Sequence, residues 1–292
     1  MSDPANSRHD PAPEGADAPI VSERRANGGI AGNVDALRWL VSDRRARADG
    51  PAKGARWLLF AFCVGCVVLL FLALLDAPAG GYRRQWPDGV RMFARAITDI
   101  GESTWYLVPT GLFIVLALAL DWRRFSRRTR WLMANWFALS SYIFLTIGGS
   151  GLIATILKRV IGRARPKHFE EHGLFAFDNF ATDASFASFP SGHATTVGAL
   201  MAMVGLLFPR LRVAALLLAV ALASTRILVG AHYPSDVAAG LGFGMWFAYF
   251  MAVVFAGRGI IFTFRSSGFP VVRPSFTRFI AATPLKYLPI SR

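Results

Sequence analysis

Residues suited to phosphate chemistry occur together in three short stretches of the chain. The first is KRVIGRARP at 158–166, where Lys158 and Arg165 lie seven residues apart. That separation is about two helical turns, so both cations can face the same way before Pro166 ends or kinks the segment. Two such cations can hold an anion. Basic residues at the end of an apolar helix also serve as interfacial anchors, so this stretch alone leaves both interpretations open.

The second stretch is FPSGHA at 189–194, immediately before an apolar run. Ser191 and Gly192 can present backbone N–H groups at a helix N-terminus, where unpaired amides and the helix dipole favour an anion. His193 would lie at the same opening. A Pro-Ser-Gly turn with a capping serine is an equally good interpretation of this stretch taken alone.

The third stretch, STRILVGAHYPSD at 224–236, places a charge inside an apolar run. Arg226 lies about 20 Å along the helix from the start of its run, and a charge at that depth predicts a functional site. His232 and Asp236 are four residues apart, across a turn that contains Pro234. A carboxylate near an imidazole fixes its tautomer and stabilises its cation, although the same pair can be a structural cap.

Together the stretches supply three cations, an anion-ready helix start and two histidines. Three cations suit phosphate better than carboxylate, because phosphate offers several charged oxygens. Two histidines allow a nucleophile and a general acid. His168 and His172 have the spacing of a zinc pair, but the sequence offers no compelling third ligand and Lys167 would oppose a cation. We therefore predict no metal site and no cofactor.

The elements that position these residues are six apolar runs in a chain of 292 residues that is 54% hydrophobic and 17% charged. The runs are 57–75, 105–120, 131–157, 194–208, 213–231 and 237–256. Each approaches the roughly 20 residues of a spanning helix, and none shows the alternation of a membrane barrel. The sequence predicts an all-α polytopic membrane bundle with six transmembrane helices over 57–256. It also predicts a flexible cytoplasmic N-terminal tail at 1–56 and a cytoplasmic C-terminal tail at 257–292.

Charge predicts the orientation of this bundle. If both termini are cytoplasmic, 22 of the 32 basic residues fall on the inner side, including five arginines in DWRRFSRRTR at 121–130. The three chemical stretches then share the outer, periplasmic face. Because the net charge of +14 is dispersed over tails and short loops, it does not predict a nucleic-acid partner. A bacterial inner membrane is the expected location, and the sequence does not indicate an oligomeric state.

The three stretches resemble the type 2 phosphatidic acid phosphatase family, which is related to vanadium haloperoxidases. That family has Lys, six residues, Arg-Pro; then Pro-Ser-Gly-His; then Ser-Arg, five residues, His, three residues, Asp. The matches are Lys158 with Arg165 and Pro166, then Pro190 to His193, then Arg226, His232 and Asp236. Thr225 replaces the usual serine and keeps a hydroxyl. By motif the resemblance covers 158–236.

The resemblance implies a role for each residue. His232 would be the nucleophile that forms a phosphohistidine, Asp236 would hold its ring, and His193 would protonate the leaving group. The phosphoryl oxygens would be held by Lys158, Arg165, Ser191, Gly192 and Arg226. No metal is required in such a mechanism.

The expected substrate is a phosphorylated lipid in contact with membrane lipids: phosphatidic acid, phosphatidylglycerophosphate, polyprenyl diphosphate or a lipid A type. Two alternatives stay open at this point. A lipid phosphotransferase would use the same residues, with acceptor-dependent phosphate release as its signature. A non-catalytic polytopic lipid transporter would have no need of the His193, His232 and Asp236 set. A soluble haloperoxidase is disfavoured by the six apolar runs.

Overall fold

The computed structural model of the protein describes residues 57–82 and 85–284. The predicted N-terminal tail at 1–56 lies outside the described residues. Over the described residues the chain is predominantly helical, with one small sheet.

Six of the helices follow the six apolar runs closely, because a chain in lipid must satisfy its backbone hydrogen bonds internally, and four shorter helices lie outside those runs. The first five are α1 (Trp57–Leu74), α2 (Asp76–Tyr82), α3 (Asp88–Thr98), α4 (Thr104–Ala119) and α5 (Arg127–Ile161). The next five are α6 (Phe169–His172), α7 (Gly192–Leu207), α8 (Arg212–Leu228), α9 (Pro234–Gly257) and α10 (Pro274–Ala281). The strands are β1 (Phe262–Phe264) and β2 (Pro270–Val272), which pair antiparallel.

Five helical segments of the described chain are long and apolar enough to cross a membrane. They are Trp57–Leu74, Asp88–Ala119, Arg127–Ile161, Pro209–Leu228 and Pro234–Gly257. Helix α7 is also apolar but has 16 residues, slightly below the usual spanning length. The chain therefore carries several apolar helices compatible with a membrane bundle, and the count of six spans depends on α7.

Glycines let α9 pack closely against α7, and this contact positions the site. A Cβ added at Gly240 would lie 2.4 Å from the carbonyl oxygen of Ser191, and one at Gly244 would lie 2.1 Å from that of Thr195. Real Cβ atoms do not approach so closely, so only glycine permits this helix separation. The close packing brings the first turn of α7, with His193, beside the first turn of α9, with Asp236.

The residues after α9 depart from the predicted tail at 257–292. The β1–β2 hairpin and α10 pack on the main core, where Phe262, Phe276 and Phe279 join Tyr142 of α5. Sequence reasoning missed this part because its strands have three residues each and its apolar residues are too scattered to form a span. The folded domain therefore extends beyond residue 256, and the small sheet is an exception to the all-α prediction.

Candidate active site

The structure places the predicted chemical residues around one opening in the bundle. Lys158 is in the last turn of α5, His193 is in the first turn of α7 and Arg226 is in the last turn of α8. The charges of Arg226, Lys158 and Arg165 all act on His193, and so does the ring of His232. The Nζ of Lys158 lies 3.8 Å from where a Cβ of Gly192 would be. Residues from three stretches of sequence thus meet at one anion-attracting point.

Arg165 reaches this point because the chain turns sharply after α5. Gly162 ends the helix in the left-handed conformation (φ +65°), and a Cβ there would collide with the backbone of Asp178. The following residues run as an extended segment, held by hydrogen bonds from Ala164 N–H to Ala176 O and from Arg165 N–H to Ser185 O, each 2.9 Å. A glycine at this position is therefore required to direct Arg163 and Arg165 back across the bundle.

Two of the arginines have N–H groups that are available to bind an anion. The Nε atoms of Arg165 and Arg226 are buried and have no hydrogen-bond partner among the described residues. A buried donor without an acceptor is costly, so such groups are expected to meet a ligand. Arg226 is held in place by Thr98 of α3, whose hydroxyl accepts from its Nη1 at 3.1 Å and also lies 3.0 Å from the Thr225 hydroxyl.

His232 is buried, and its tautomer follows from one contact. Its Nδ1 lies 2.9 Å from the carbonyl oxygen of Ser188. Because a carbonyl can only accept, Nδ1 carries the proton and Nε2 keeps its lone pair. Burial lowers the pKa of His232 below its ordinary value, while the charge of the nearby Asp236 carboxylate opposes this shift. The ring is therefore held neutral, with a nucleophilic nitrogen opposite Ser188.

Asp236 lies beside this ring but is bonded elsewhere. Its nearest oxygen is 3.8 Å from Nδ1 of His232, which is an ion-pair distance and too long for a hydrogen bond. Its Oδ2 accepts from the Ser188 hydroxyl at 2.6 Å and from the Tyr233 N–H at 2.9 Å. Its Oδ1 accepts from Nη1 of Arg163 at 2.7 Å. Asp236 therefore caps α9 and acts on His232 through charge and through Ser188.

Ser191 and Gly192 differ in what they can offer an anion. The Ser191 N–H donates to the carbonyl of Asp236 at 3.0 Å, and its hydroxyl caps α7 by accepting from the Ala194 N–H. The amide of Ser191 is thus used within the protein, whereas its hydroxyl keeps a proton to donate, and a contact of Ser191 with a phosphoryl oxygen stays a prediction. Gly192, the first residue of α7, keeps its place at the helix start beside Lys158.

Sequence reasoning missed a buried charged cluster behind Asp236. Arg163 joins Asp236 to Asp76 of α2, and its Nη2 donates to Asp76 at 2.9 Å. Ser235 belongs to the same cluster, because its hydroxyl meets both Arg163 and Asp76. Arg163 lay inside the quoted KRVIGRARP stretch, but nothing in the sequence signals its partner 87 residues away.

A cavity of about 340 Å³ opens from the site between α4 and α5. Lys158, Gly192 and His193 line one end, and the rest is lined by Leu107, Ile147 and Leu152 together with Glu102, hydroxyl residues and glycines. A larger cavity of about 510 Å³ lies elsewhere, lined by aromatic residues including Trp57 and Trp246, with no charged side chain on its walls. Of these two cavities, the smaller one reaches the cationic site.

One group of residues outside this site has metal-ligand geometry. His168, Glu171 and His172 bring one ligand atom each within 4.8 Å of one another. Glu171 lies about one helical turn after His168 and supplies the third possible ligand atom. Sequence reasoning did not single out this residue. Glu171 and His172 are exposed, and the ring of His168 stacks on Phe186. Nothing in the proposed chemistry draws on this group.

Comparisons with known proteins identify the class that this fold and site define. The sequence model of the PAP2 superfamily matches residues 139–260, which include every catalytic residue predicted above. Lipid A 1-phosphatase of Rhizobium johnstonii is 40% identical over 242 residues, covering 82% of this chain and 97% of that protein. The chain belongs to the PAP2 superfamily.

Further relatives indicate how the family varies in substrate. Lipid A 1-phosphatase of Rhizobium etli is 42% identical over 223 residues, covering 76% of this chain and 94% of the relative. Decaprenylphosphoryl-5-phosphoribose phosphatase of Mycobacterium tuberculosis is 32% identical over 187 residues, covering 62% of this chain and 84% of the relative. All three are named as phosphatases of phosphorylated lipids.

Proposed function

We propose that this protein is a membrane phosphatase that removes a phosphate from lipid A through a phosphohistidine intermediate. The observation that carries the proposal is the convergence of Arg165, Arg226 and Lys158 on two histidines, with buried guanidinium N–H groups left without an acceptor. A phosphoryl group supplies the missing acceptors. Preorganised donors of this kind stabilise the charge that develops in phosphoryl transfer.

In the first step, Nε2 of His232 attacks phosphorus. A nitrogen–phosphorus bond forms while the bond from phosphorus to the sugar oxygen breaks. His193, in its protonated form, gives its proton to the departing oxygen, and the charge of the entering phosphate favours that form. The imidazolium that results on His232 is stabilised by the nearby Asp236 carboxylate and by the hydrogen bond to Ser188.

In the second step, His193 is neutral and acts as a base. It takes a proton from a water molecule that attacks the phosphohistidine, and inorganic phosphate leaves. Nε2 of His232 recovers its lone pair and His193 recovers its proton, so the enzyme returns to its starting state. An acceptor alcohol in place of water would make the same site a phosphotransferase.

Lipid A is the favoured substrate because two relatives named for it match this chain over nearly their whole length. The relative named for a decaprenyl substrate is less similar and covers less of the chain. The cavity that leads from His193 between α4 and α5 has a wall of both apolar and hydroxyl side chains, which suits the part of a lipid where the polar head meets the apolar chains. Phosphatidic acid and polyprenyl diphosphate are the comparison substrates.

The proposal includes an orientation: six spans, both termini cytoplasmic, and the site at the periplasmic face of a bacterial inner membrane. Helix α5 supports it, because 35 residues extend about 50 Å and separate the arginines at its start from Lys158 at its end. Those arginines favour the cytoplasm. Reporter fusions at residues 124 and 172 should give cytoplasmic and periplasmic signals respectively. The opposite pattern would overturn the orientation.

The decisive experiment measures phosphate release by detergent-purified protein from lipid A, phosphatidic acid and polyprenyl diphosphate. Mass spectrometry of the lipid A product would show which phosphate is lost. His232→Ala should abolish both release and trapping of a radiolabelled phosphoenzyme, because the variant lacks the nitrogen that attacks phosphorus. His172→Ala removes an exposed histidine and is the matched control, with activity expected near wild type.

The possible outcomes separate the hypotheses. Release from lipid A that disappears in His232→Ala supports the proposal. Release that depends on an added acceptor lipid would instead indicate a phosphotransferase. Folded protein that releases no phosphate from any of the three lipids would overturn the proposal and favour a non-catalytic membrane protein.

A further inference from the structure

We propose that Arg163 and Asp76 are positioning residues for the nucleophile: they fix the Asp236 carboxylate where it supports His232 through Ser188. This inference rests on the proposed phosphatase function. It adds two residues to which the motifs assign no role: Arg163, within the 158–166 stretch, and Asp76 of α2, before the region matched by the family.

The argument begins with burial. Arg163 is 3% exposed, and both Asp76 and Asp236 are 0% exposed, so three charges lie together away from water. Burying charges is expensive, and well-packed apolar residues often serve stability equally well or better. A buried charged triad is therefore weak evidence for stability, and its geometry is better explained by a need for fixed orientation.

The geometry of Arg163 allows it to orient both carboxylates at once. Its Nη1 donates to Asp236 at 2.7 Å and its Nη2 donates to Asp76 at 2.9 Å, while its guanidinium lies 4.4 Å from the centre of the Tyr233 ring. A planar, forked donor stacked on an aromatic face has little freedom to rotate. Asp76 completes the arrangement by also accepting from the N–H of Ser235 at 2.9 Å.

A continuous chain of hydrogen bonds leads from this triad to the nucleophile. Asp236 accepts the Ser188 hydroxyl at 2.6 Å, and the Ser188 carbonyl accepts Nδ1–H of His232 at 2.9 Å. A carboxylate that shifts would release Ser188 and allow the imidazole to rotate. Arg163 restrains Asp236, and Asp76 restrains Arg163.

Asp76 and Arg163 have opposite charges and therefore opposite effects on the protonation of the His232 imidazole. The triad carries one positive and two negative charges, so its net charge favours protonated His232. The groups that face His232 are Asp236 of α9, Arg165 of the extended segment, Arg226 of α8 and His193 of α7. Changing residue 76 or 163 leaves the chemical identity of these four groups unaltered. Removing the Asp76 charge should disfavour the imidazolium, and removing the Arg163 charge should favour it.

The test compares Arg163→Lys, Arg163→Gln and Asp76→Asn in the full-length protein, using lipid A. We expect each to lower kcat by about 10- to 100-fold with KM within about 2-fold, because a misplaced nucleophile affects chemistry more than binding. In a plot of kcat against pH, the midpoint of the acid limb should move to lower pH by roughly 0.5 unit in Asp76→Asn and to higher pH by a similar amount in Arg163→Gln. Arg163→Lys keeps the charge and should leave the limb unmoved.

A double variant, Asp76→Asn with Arg163→Gln, removes one charge of each sign. Its acid limb should return close to the wild-type position while kcat stays low. A purely structural role would lower the amount of folded protein without shifting the limb in opposite directions. Asp88→Asn and Arg91→Gln, which break an exposed ion pair of 3.1 Å on α3, are the matched charge controls.

The outcomes are distinct from those that test the function. Wild-type protein without phosphatase activity would defeat the proposed function. A different result would overturn the positioning role: the wild type is active, the Arg163→Lys and Asp76→Asn variants fold, and their kcat stays within 2-fold of the wild-type value. Limb shifts in the same direction for Asp76→Asn and Arg163→Gln would also overturn it. If Arg163→Gln fails to fold, the charge-conserving Arg163→Lys variant and Asp76→Asn still decide the question.

Discussion

Replacing Gly240 by alanine tests whether helix separation holds the two halves of the site in register. Gly240 lies one turn after Asp236 in α9 and faces the start of α7. An added Cβ would lie 2.4 Å from the Ser191 carbonyl oxygen and 3.0 Å from the Cβ of Ala194, whereas ordinary contact begins at 3.4 Å. The two helices must therefore separate by about 1.0 Å, which is the difference between the 2.4 Å approach to the Ser191 oxygen and the 3.4 Å of ordinary contact.

That displacement moves Gly192 and His193 away from His232, because the contact lies between the two helix starts. A misplacement of about 1 Å can cost about 100-fold in rate, so we expect kcat to fall by that order. Overpacking costs about 1–3 kcal/mol, and the better helix propensity of alanine returns up to about 1 kcal/mol. Global stability should therefore change little compared with activity.

The assay measures kcat, KM and the thermal unfolding midpoint in detergent for Gly240→Ala. Gly257→Ala is the matched control, because it is the same change in the same helix at a position with nothing within 4 Å. We expect wild-type activity from the control. A Gly240→Ala variant with wild-type kcat, or a control that loses as much activity, would refute the reasoning.

Four further predictions concern the site. Burial lowers the pKa of His232. In a plot of kcat/KM against pH, the midpoint of the acid limb should therefore lie below pH 6.5, the ordinary pKa of histidine. The unfolded chain binds a proton at His232 more readily than the folded one, so stability should decrease as pH falls below about 6.5; an increase would contradict the assigned shift. Activity should survive EDTA, and loss that a divalent ion restores would refute a metal-free mechanism. Thr98→Val removes the acceptor that holds Arg226 and should lower kcat/KM roughly 10-fold, as expected for a hydrogen bond to a charged group; an unchanged value would show that Arg226 needs no such support.

The sequence predicted the local features of this fold well because they depend on near neighbours. Apolar runs gave the long helices to within a few residues in most cases, and the three stretches contained every residue of the proposed catalytic set. Gly240 and Gly244 lie four residues apart in one apolar run, a spacing typical of helix-packing positions, and both contact α7. These features are readable because helix formation and motif spacing are encoded over short distances along the chain.

Features that depend on distant partners could not be predicted in the same way. The contact between Asp76 and Arg163 spans 87 residues, and that between Thr98 and Arg226 spans 128. Each partner looks ordinary in its own surroundings: Asp76 follows an apolar run, and Thr98 ends a short helix. The sequence also predicted that Asp236 holds the His232 ring, whereas in the structure Nδ1 of His232 is hydrogen-bonded to the Ser188 carbonyl. Only packing of the helices decides such pairings.

These distant contacts change how the first helices should be understood. Residues 139–260, which the family model matches, contain the proposed nucleophile, the acid and the three cations. Two of the arginines in that region nevertheless depend on residues that precede it: Arg163 on Asp76 of α2, and Arg226 on Thr98 of α3. Both partners are buried side chains near helix ends. The segments before residue 139 therefore do more than anchor the chain, since each orients one buried guanidinium of the site.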